Sequence, residues 1–164
     1  MVSANEVEDK KKLLLLDGHS LAFRAFYALP ADKFTDSSGR HTNAVYGFIS
    51  MLTTLLEQEK PSHVAAAFDL AGPTFRSEKF ADYKAQRPET PPEFKGQIEL
   101  IRQALKMFGI TTVDYKRYEA DDVIATLATQ GHKQGFDTYI CTGDRDSLQL
   151  VTDDVTVLYT LRGV

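Results

Sequence analysis

The sequence predicts an α/β fold with a mostly parallel central sheet flanked by helices. Short apolar runs alternate along the chain with longer segments of helical period, as in sheets built with right-handed crossovers. The runs are continuously apolar, which is typical of strands buried on both faces. A length of 164 residues with 43% hydrophobic content suits one compact domain.

Five short segments are the predicted strands: residues 12–17, 63–69, 110–113, 138–141 and 155–159. Each has a length usual for a strand and consists mainly of aliphatic, β-branched or aromatic residues. The first two, KLLLLD and HVAAAFD, both run into an aspartate. Acidic residues therefore follow the strands at the ends that parallel strands share.

Four longer segments are the predicted helices: residues 20–29, 42–59, 93–108 and 121–134. Ser20 is the predicted N-cap of the first, and Pro30 ends it. Pro61 follows the second helix, and Gly109 is the predicted stop of the third. The fourth has apolar residues three and four positions apart, which gives it one face for the sheet.

Residues 71–92, called the excursion below, interrupt this alternation. Glycine and proline break the periodicity there, and loops of this length are usually functional or mobile. Within the excursion, residues 75–87 (FRSEKFADYKAQR) interleave aromatic and positively charged side chains. That composition can stack bases and bind phosphates, although such a charge run is also common on a solvated face.

Composition limits the kinds of partner. The net charge of −4 argues against a general DNA-coating protein, so any nucleic-acid contact must be local. The single cysteine, Cys141, supplies neither a disulfide framework nor a thiolate metal site, and it fits a reducing cytoplasm. No signal peptide and no membrane span is predicted. Residues 1–12 are a predicted flexible tail, and residues 13–164 the domain.

The acids that follow the strands are expected to lie on one rim, because ligands of open α/β sheets bind beyond the carboxyl ends of the strands. Two carboxylates about 4 Å apart repel by roughly 4 kcal/mol at an effective dielectric of about 20, so a cation is needed to gather them. Oxygen ligands favour Mg²⁺ or Mn²⁺. A single such aspartate can also be only a turn former or a helix cap. The candidate ligands are Asp17, Asp69, Glu119, Asp121, Asp122, Asp144 and Asp146.

Several cations are candidates for contacts with a phosphate. Beside a metal site, Lys84 and Arg87 of the excursion are suited to stabilise charge that develops on a scissile phosphodiester. Arg24 lies about one helical turn from Asp17, and phosphate binding is its preferred interpretation over that of a surface arginine with a buried stem. His19 is expected to make a local hydrogen bond.

Seven segments together resemble the 5′ nuclease domain found at the N-terminus of bacterial DNA polymerase I, a member of the flap endonuclease superfamily. They are residues 15–27, 42–47, 67–69, 74–76, 83–87, 118–122 and 142–146. The resemblance implies a PIN-like core, a helical arch formed by the excursion, and divalent-metal hydrolysis at 5′ ends and 5′ flaps of DNA in replication and repair.

The resemblance also implies roles for individual residues. Asp17, Asp69 and residues 119–122 would hold a first ion, and Asp144 with Asp146 would contribute to a second. Mg²⁺ is the expected metal, and Mn²⁺ can substitute. Asp17, Asp69, Lys84 and Arg87 are the catalytic candidates. The DNA-binding candidates are Arg24, Arg76, Tyr83, Lys84 and Arg87, with Tyr83 stacking on a base.

Members of that family continue past the last strand into further aspartates and a helix-hairpin-helix, so the chain is expected to be a truncated monomer. Its expected partners are flap DNA and the polymerase domain of a longer polypeptide. One alternative is a weakly active or inactive module that binds metal and branched DNA. A second is a PIN-type ribonuclease. An Asp-x-Asp phosphatase and a dinucleotide binder are disfavoured, since Gly18 and His19 follow Asp17 and no Gly-x-Gly-x-x-Gly turn is present.

Overall fold

The computed structural model describes residues 10–85 and 87–160. The strands are β1 Lys12–Asp17, β2 His63–Ala67, β3 Thr111–Val113, β4 Asp137–Thr142 and β5 Val155–Tyr159. They form one sheet in the order β3-β2-β1-β4-β5, and every neighbouring pair is parallel. The predicted parallel α/β fold is confirmed.

The α-helices are α1 Gly18–Ala28, α2 Asn43–Glu59, α3 Phe75–Lys79, α4 Gln97–Met107 and α5 Ala120–Lys133. Shorter 3₁₀ turns occupy Ala31–Lys33, Pro92–Phe94 and Arg145–Leu150. Within the described part of the chain, none of the helices combines the length and apolar character needed to cross a membrane.

The sheet has a separate apolar core on each face. Successive residues of a strand point to opposite faces, so Leu14 and Leu16 of β1 join one core and Leu15 joins the other. The first core packs against α1, α2 and α4, and the second against α5. Both faces of β1 are therefore buried, which explains its unbroken apolar sequence.

The order in which the chain adds strands to the sheet reverses between β1 and β4. From β1 the chain builds outward through β2 to β3, and α5 then carries it back to β4 on the other side of β1. Such a switch point opens a crevice at the carboxyl ends of the two strands, where α/β proteins bind ligands. Asp17 ends β1 and Thr142 ends β4, so both lie at this crevice.

Two helix starts differ from the prediction by two residues or more. Helix α1 begins at Gly18, and Asp17 rather than Ser20 is its N-cap, because the Asp17 carboxylate accepts a hydrogen bond from the Ser20 amide. The third predicted helix begins at Gln97 instead of residue 93. Gly96 has φ +82°, a left-handed conformation that separates the 3₁₀ turn Pro92–Phe94 from the helix.

The excursion has little regular structure. Among its described residues, the one α-helix is α3, which is five residues long, and turns occupy residues 81–85. The helical arch implied by the family resemblance is thus limited to a short helix in the described residues. Residues 1–9 of the predicted tail and residues 161–164 of the predicted domain lie outside the described range, and residue 12, predicted to end the tail, belongs to β1.

Candidate active site

Asp17 is the most buried acid of the site, at 4% exposure. Its Oδ2 accepts a hydrogen bond from the Thr142 hydroxyl at 2.7 Å, and its Oδ1 accepts one from the Ser20 amide at 3.2 Å. Burial raises the pKa of its carboxyl despite these bonds. Neighbouring parallel strands thus hold a carboxylate in a place where its charge is costly unless a cation is near.

Gly18 allows helix α1 to leave the strand directly beneath the site. A Cβ at this position would lie 2.3 Å from the ring of Phe68, which is fully buried. A larger residue would therefore push apart the carboxyl ends of β1 and β2. Packing therefore requires glycine at this position. Because Gly18 has no side chain, Asp17 can lie close to the residues that follow β2.

Asp69 bridges β2 and the start of α5. Its Oδ1 accepts a hydrogen bond from the Ala120 amide at 2.6 Å, and its own amide donates to His19 Nδ1 at 3.2 Å. Because His19 Nδ1 accepts, its ring is neutral with the proton on Nε2; burial lowers the pKa of His19 in the same direction. The local hydrogen-bonding role expected for His19 is confirmed.

Glu119 precedes α5 and is held by the excursion. Its Oε1 accepts from Lys84 Nζ at 2.8 Å, and its Oε2 accepts from the Tyr83 hydroxyl at 3.1 Å and from Arg76 Nη1 at 3.3 Å. Burial disfavours the charge of Lys84, but the hydrogen bond to Glu119, the negative charge of Glu119 and the hydrogen bond with Tyr83 together outweigh burial and raise the lysine pKa. Three residues predicted to contact DNA thus converge on one carboxylate.

Asp122 forms a two-pronged ion pair with Arg76, with nitrogen–oxygen distances of 2.7 and 2.6 Å. Its Oδ2 also accepts from the Glu119 amide at 3.0 Å, which satisfies a free donor at the start of α5. The hydrogen bonds from Arg76 lower the pKa of Asp122. Asp122 therefore anchors the excursion and caps the helix.

Five of the seven candidate acids line one cavity of about 610 Å³ at the switch point. They are Asp17, Asp69, Glu119, Asp121 and Asp144, and Lys84 and Arg87 line the same cavity. Burial, and then the negative charges of Asp17, Asp144 and Asp69, raise the pKa of Asp121 to about 6. The acids are close enough to affect one another's ionisation.

The other two candidate acids, Asp122 and Asp146, line an adjoining cavity of about 270 Å³. Glu119 and Asp121 line both cavities. The expectation that all seven acids share one rim is therefore met by five, with the remaining two one cavity away. Asp146 is exposed on the 3₁₀ turn, where its amide donates to Asp144 Oδ1 at 2.9 Å.

The donor chemistry fits a hard divalent cation, since five of the candidate carboxylates line the cavity. In residues 10–85 and 87–160, no three His, Cys, Asp or Glu side chains form a group that could hold an ion. Asp69 is exposed and Asp144 is half-buried, whereas Asp17 is buried.

Arg24 lies on the β4 side of the site. Its Nη2 donates to the Gly143 carbonyl and to the Tyr159 hydroxyl, both at 2.9 Å. A Cβ on Gly143 would lie 2.0 Å from Arg24 Nε, so the glycine lets the guanidinium pass close to the backbone. Arg24 thus braces β4 against β5 beside Asp144, and its phosphate-binding role stays a prediction.

The sequence analysis did not identify Thr142 or residues 89–91 as site residues. Thr142 was noted only as part of a motif, although its hydroxyl both donates to Asp17 and accepts from the Asp144 amide. Residues 89–91, at the end of the excursion, line the acidic cavity. The pairing of β1 with β4 could have indicated Thr142, since it places the two strand ends together.

Comparison with known proteins agrees with this architecture. The family model of the 5′-3′ exonuclease N-terminal resolvase-like domain matches residues 12–163. The chain therefore belongs to that family.

Among its relatives is the DNA polymerase I of Mycobacterium tuberculosis, 56% identical over 159 residues. The match covers 96% of this chain and 18% of the relative, so the chain spans about a fifth of the polymerases that it resembles. The family resemblance found from the sequence is confirmed.

Solved structures of the bacteriophage T5 D15 protein share the fold. The D15 protein co-crystallized with metal ions has a TM-score of 0.69 and 18% identity, over 94% of this chain and 57% of D15. The D15 flap endonuclease in a pseudo-enzyme-product complex with DNA and metal ions has a TM-score of 0.64 and 20% identity, with the same coverage. These likenesses confirm the fold.

Proposed function

We propose that the chain is the metal-binding core of a 5′-3′ exonuclease and flap endonuclease, which hydrolyses DNA phosphodiesters at 5′ ends and 5′ flaps in replication and repair. The observation that carries the proposal is the cavity that Asp17, Asp69, Asp121 and Asp144 line together with Lys84 and Arg87. Its carboxylates suit a cation, and its cations suit a phosphate.

The carboxylates of the site would hold the metal ions. Asp17, Asp69, Asp121 and, after release of its bonds, Glu119 would hold a first divalent ion, and Asp144 with Asp146 would contribute to a second. When bound, such ions supply Lewis-acid activation of water and neutralise charge on the phosphodiester. Mg²⁺ is the proposed metal, with Mn²⁺ as a substitute, because every donor is an oxygen.

The excursion would bind and orient the DNA strand. Lys84 and Arg87 would place positive charge beside the scissile phosphate, and Arg24 and Arg76 would contact neighbouring phosphates. Tyr83 would stack on an unpaired base. Because Lys84, Tyr83 and Arg76 are bonded to Glu119 or Asp122, DNA binding would exchange these bonds for phosphate contacts of Lys84 and Arg76 and for base stacking of Tyr83.

The relatives and structural neighbours support this proposal. The T5 D15 flap endonuclease was captured with DNA and metal ions, and the family is named for its 5′-3′ exonuclease. The polymerase part of a longer polypeptide is the proposed covalent neighbour, and a cytoplasmic monomer is the proposed form. The single free thiol of Cys141 is compatible with that compartment.

The test is cleavage of labelled substrates in Mg²⁺, in Mn²⁺ and in EDTA. The substrates are a 5′-flap DNA, a blunt duplex and a single-stranded RNA of the same sequence, and a longer form that includes the next part of the polypeptide is assayed in parallel. Metal-dependent cutting of the flap is expected. Cutting by the longer form with binding alone by this chain would favour the alternative of a weakly active or inactive module, and cutting by both at similar rates would exclude it. No metal-dependent cutting by the longer form would overturn the nuclease function, and preference for RNA would favour a ribonuclease.

A further inference from the structure

A second aromatic and basic surface lies outside the acidic cavity, on the loop between β3 and α5. It consists of Phe75, Tyr115, Lys116, Arg117 and Tyr118, and is called the YKRY surface below. Tyr115 is 66% exposed and Tyr118 45% exposed. Neither tyrosine belongs to the two apolar cores of the described residues, so the packing of the domain does not explain why two large aromatic side chains are exposed to solvent.

The rings form a continuous row. The ring centroids of Phe75 and Tyr118 are 5.3 Å apart, and those of Tyr118 and Tyr115 are 5.7 Å apart. The planes are inclined by 50° and 65°, and the exposure of Tyr115 and Tyr118 leaves part of each tyrosine ring accessible to a ligand. An accessible aromatic ring is a surface on which an unpaired base can stack.

The row is built in advance of any ligand. The Phe75 amide donates to the Arg117 carbonyl at 2.9 Å, which joins the start of α3 to the loop. The Arg117 guanidinium pairs with Glu78 of the same helix. These contacts fix the aromatic rings relative to one another, so little ordering entropy would be lost on binding.

The charge around the row is positive. The neighbouring acids are already matched, Glu78 by Arg117 and Asp114 by Arg102. Lys116 and Lys79 are exposed and form no ion pair with any other described residue. Positive charge beside open rings matches a strand that carries a phosphate for every base, whereas a purely apolar partner would leave both lysines without a role.

The row also leads to the cavity. Tyr118 directly precedes Glu119, which lines the cavity, and Phe75 directly precedes Arg76, which pairs with Asp122. The Arg76 guanidinium lies 4.6 Å from the centroid of the Phe75 ring. Tyr118 and Phe75 are thus chain neighbours of residues at the acidic site, so a DNA strand lying on the row would be close to that site.

We propose that the YKRY surface binds unpaired nucleotides of a single DNA strand, with Tyr115 and Tyr118 stacking on bases and Lys116 contacting a phosphate. This deepens the proposed function, on which it rests, by assigning a place for the unpaired 5′ strand outside the acidic cavity. The surface contributes affinity for single strands and takes no part in hydrolysis.

The experiment measures fluorescence anisotropy of a labelled dT oligonucleotide and of an abasic oligonucleotide of equal length, in EDTA, so that no cleavage occurs. Tyr115→Ala is expected to weaken dT binding about fivefold or more, because stacking on one aromatic ring contributes at least about 1 kcal/mol. Tyr115→Phe keeps the ring and should bind like the unaltered chain. Phe108→Ala, an aromatic residue 50% exposed at the other end of β3, is the matched control.

Further readouts separate stacking from charge. Binding of the abasic oligonucleotide should not change in Tyr115→Ala, and Lys116→Ala should reduce the salt dependence of dT binding by about 0.7 in logarithmic slope. Lys106→Ala, which removes an exposed lysine in the last turn of α4, is its control and should leave the slope unchanged.

The proposal is overturned if the unaltered chain does not bind dT, if Tyr115→Ala binds dT normally, or if it weakens both oligonucleotides equally. Cleavage assays test the proposed function separately. If the chain cuts flaps and Tyr115→Ala binds dT normally, the proposed role of this surface is overturned and the nuclease function is retained. If the stacking predictions hold but no flap is cut, the nuclease function is overturned and the role of the surface is retained.

Discussion

The acids of the site are held by two different parts of the molecule. Asp17 receives its hydrogen bonds from Ser20 of helix α1 and Thr142 of the neighbouring strand β4. Glu119 receives its side-chain bonds from Tyr83, Lys84 and Arg76 of the excursion. The first carboxylate is positioned by the fold itself, and the second by contacts that a movement of the excursion would break.

This difference assigns separate roles to the two regions. Elements with few buried apolar contacts open at lower free energy than a buried sheet, and the five-residue α3 is the one α-helix among the described residues of the excursion. Asp17 should therefore provide a fixed point for the metal, while Glu119 becomes available as the excursion exchanges its bonds. The predictions below test the two regions separately.

The largest effect is expected from Asp17→Asn, which preserves the size of the side chain and removes its charge. Flap cleavage should fall by about 100-fold or more, since loss of groups that merely support metal ligands already costs about 10- to 100-fold. Cleavage rates at saturating Mg²⁺ measure the effect. Asp153→Asn, in the exposed turn before β5, is the control and should cleave normally; equal losses in both variants would contradict a special role for Asp17.

The next effect concerns the core that supports Asp17. Gly18→Ala should lower the free energy of unfolding by about 1–3 kcal/mol, because its Cβ would overlap the Phe68 ring. Urea denaturation measures it. In the double variant Gly18→Ala with Phe68→Leu, part of the Gly18→Ala cost should disappear, which is the signature of two residues in contact. Additive losses would show that the overlap is not the cause.

On the other side of the comparison, Glu119→Gln should loosen the excursion and leave the sheet intact. The substitution weakens the hydrogen bonds from Lys84 and Arg76, and a loss of about 1 kcal/mol corresponds to about fivefold faster local opening. Limited tryptic cleavage after Lys79 and Lys84 reports on this opening. Glu57→Gln, a surface residue of α2, should not change the cleavage rate; a faster rate there too would point to general destabilisation.

The smallest effect concerns the Cys141 thiol, which should not react with a thiol reagent in the folded state. Burial raises the pKa of the Cys141 thiol to about 12, so the thiol stays protonated and unreactive at about pH 8, and the pH would have to rise toward 12 before it ionised. A thiol reagent should label Cys141 only after denaturation. Rapid labelling of the native chain would mean that the core around β4 opens as readily as the excursion.

Much of the fold followed from local sequence signals. The bounds of β1 and β5 agree with the prediction because their apolar runs are short and sharply ended. The start of α1 was misplaced because the cap is Asp17, which the sequence also marks as the end of a strand. The start of α4 was misplaced because Glu93 fits a helical pattern that the left-handed Gly96 interrupts.

The site was predictable only in part. Strand-end position was enough to bring Asp17, Asp69, Asp121 and Asp144 to one cavity. The pairing of Arg76 with Asp122, 46 positions apart, depends on how the excursion folds back, which no local pattern encodes. The roles assigned to the individual site residues stay predictions.

The most direct test of the division between the two regions is a calorimetric titration of Mn²⁺ into the unaltered chain, Asp17→Asn and Glu119→Gln. We expect Asp17→Asn to abolish measurable binding and Glu119→Gln to weaken it while a site remains, with Asp153→Asn binding normally. Undiminished Mn²⁺ binding in Asp17→Asn would contradict the account, because the carboxylate held by the fold would then not be the fixed point of the metal site.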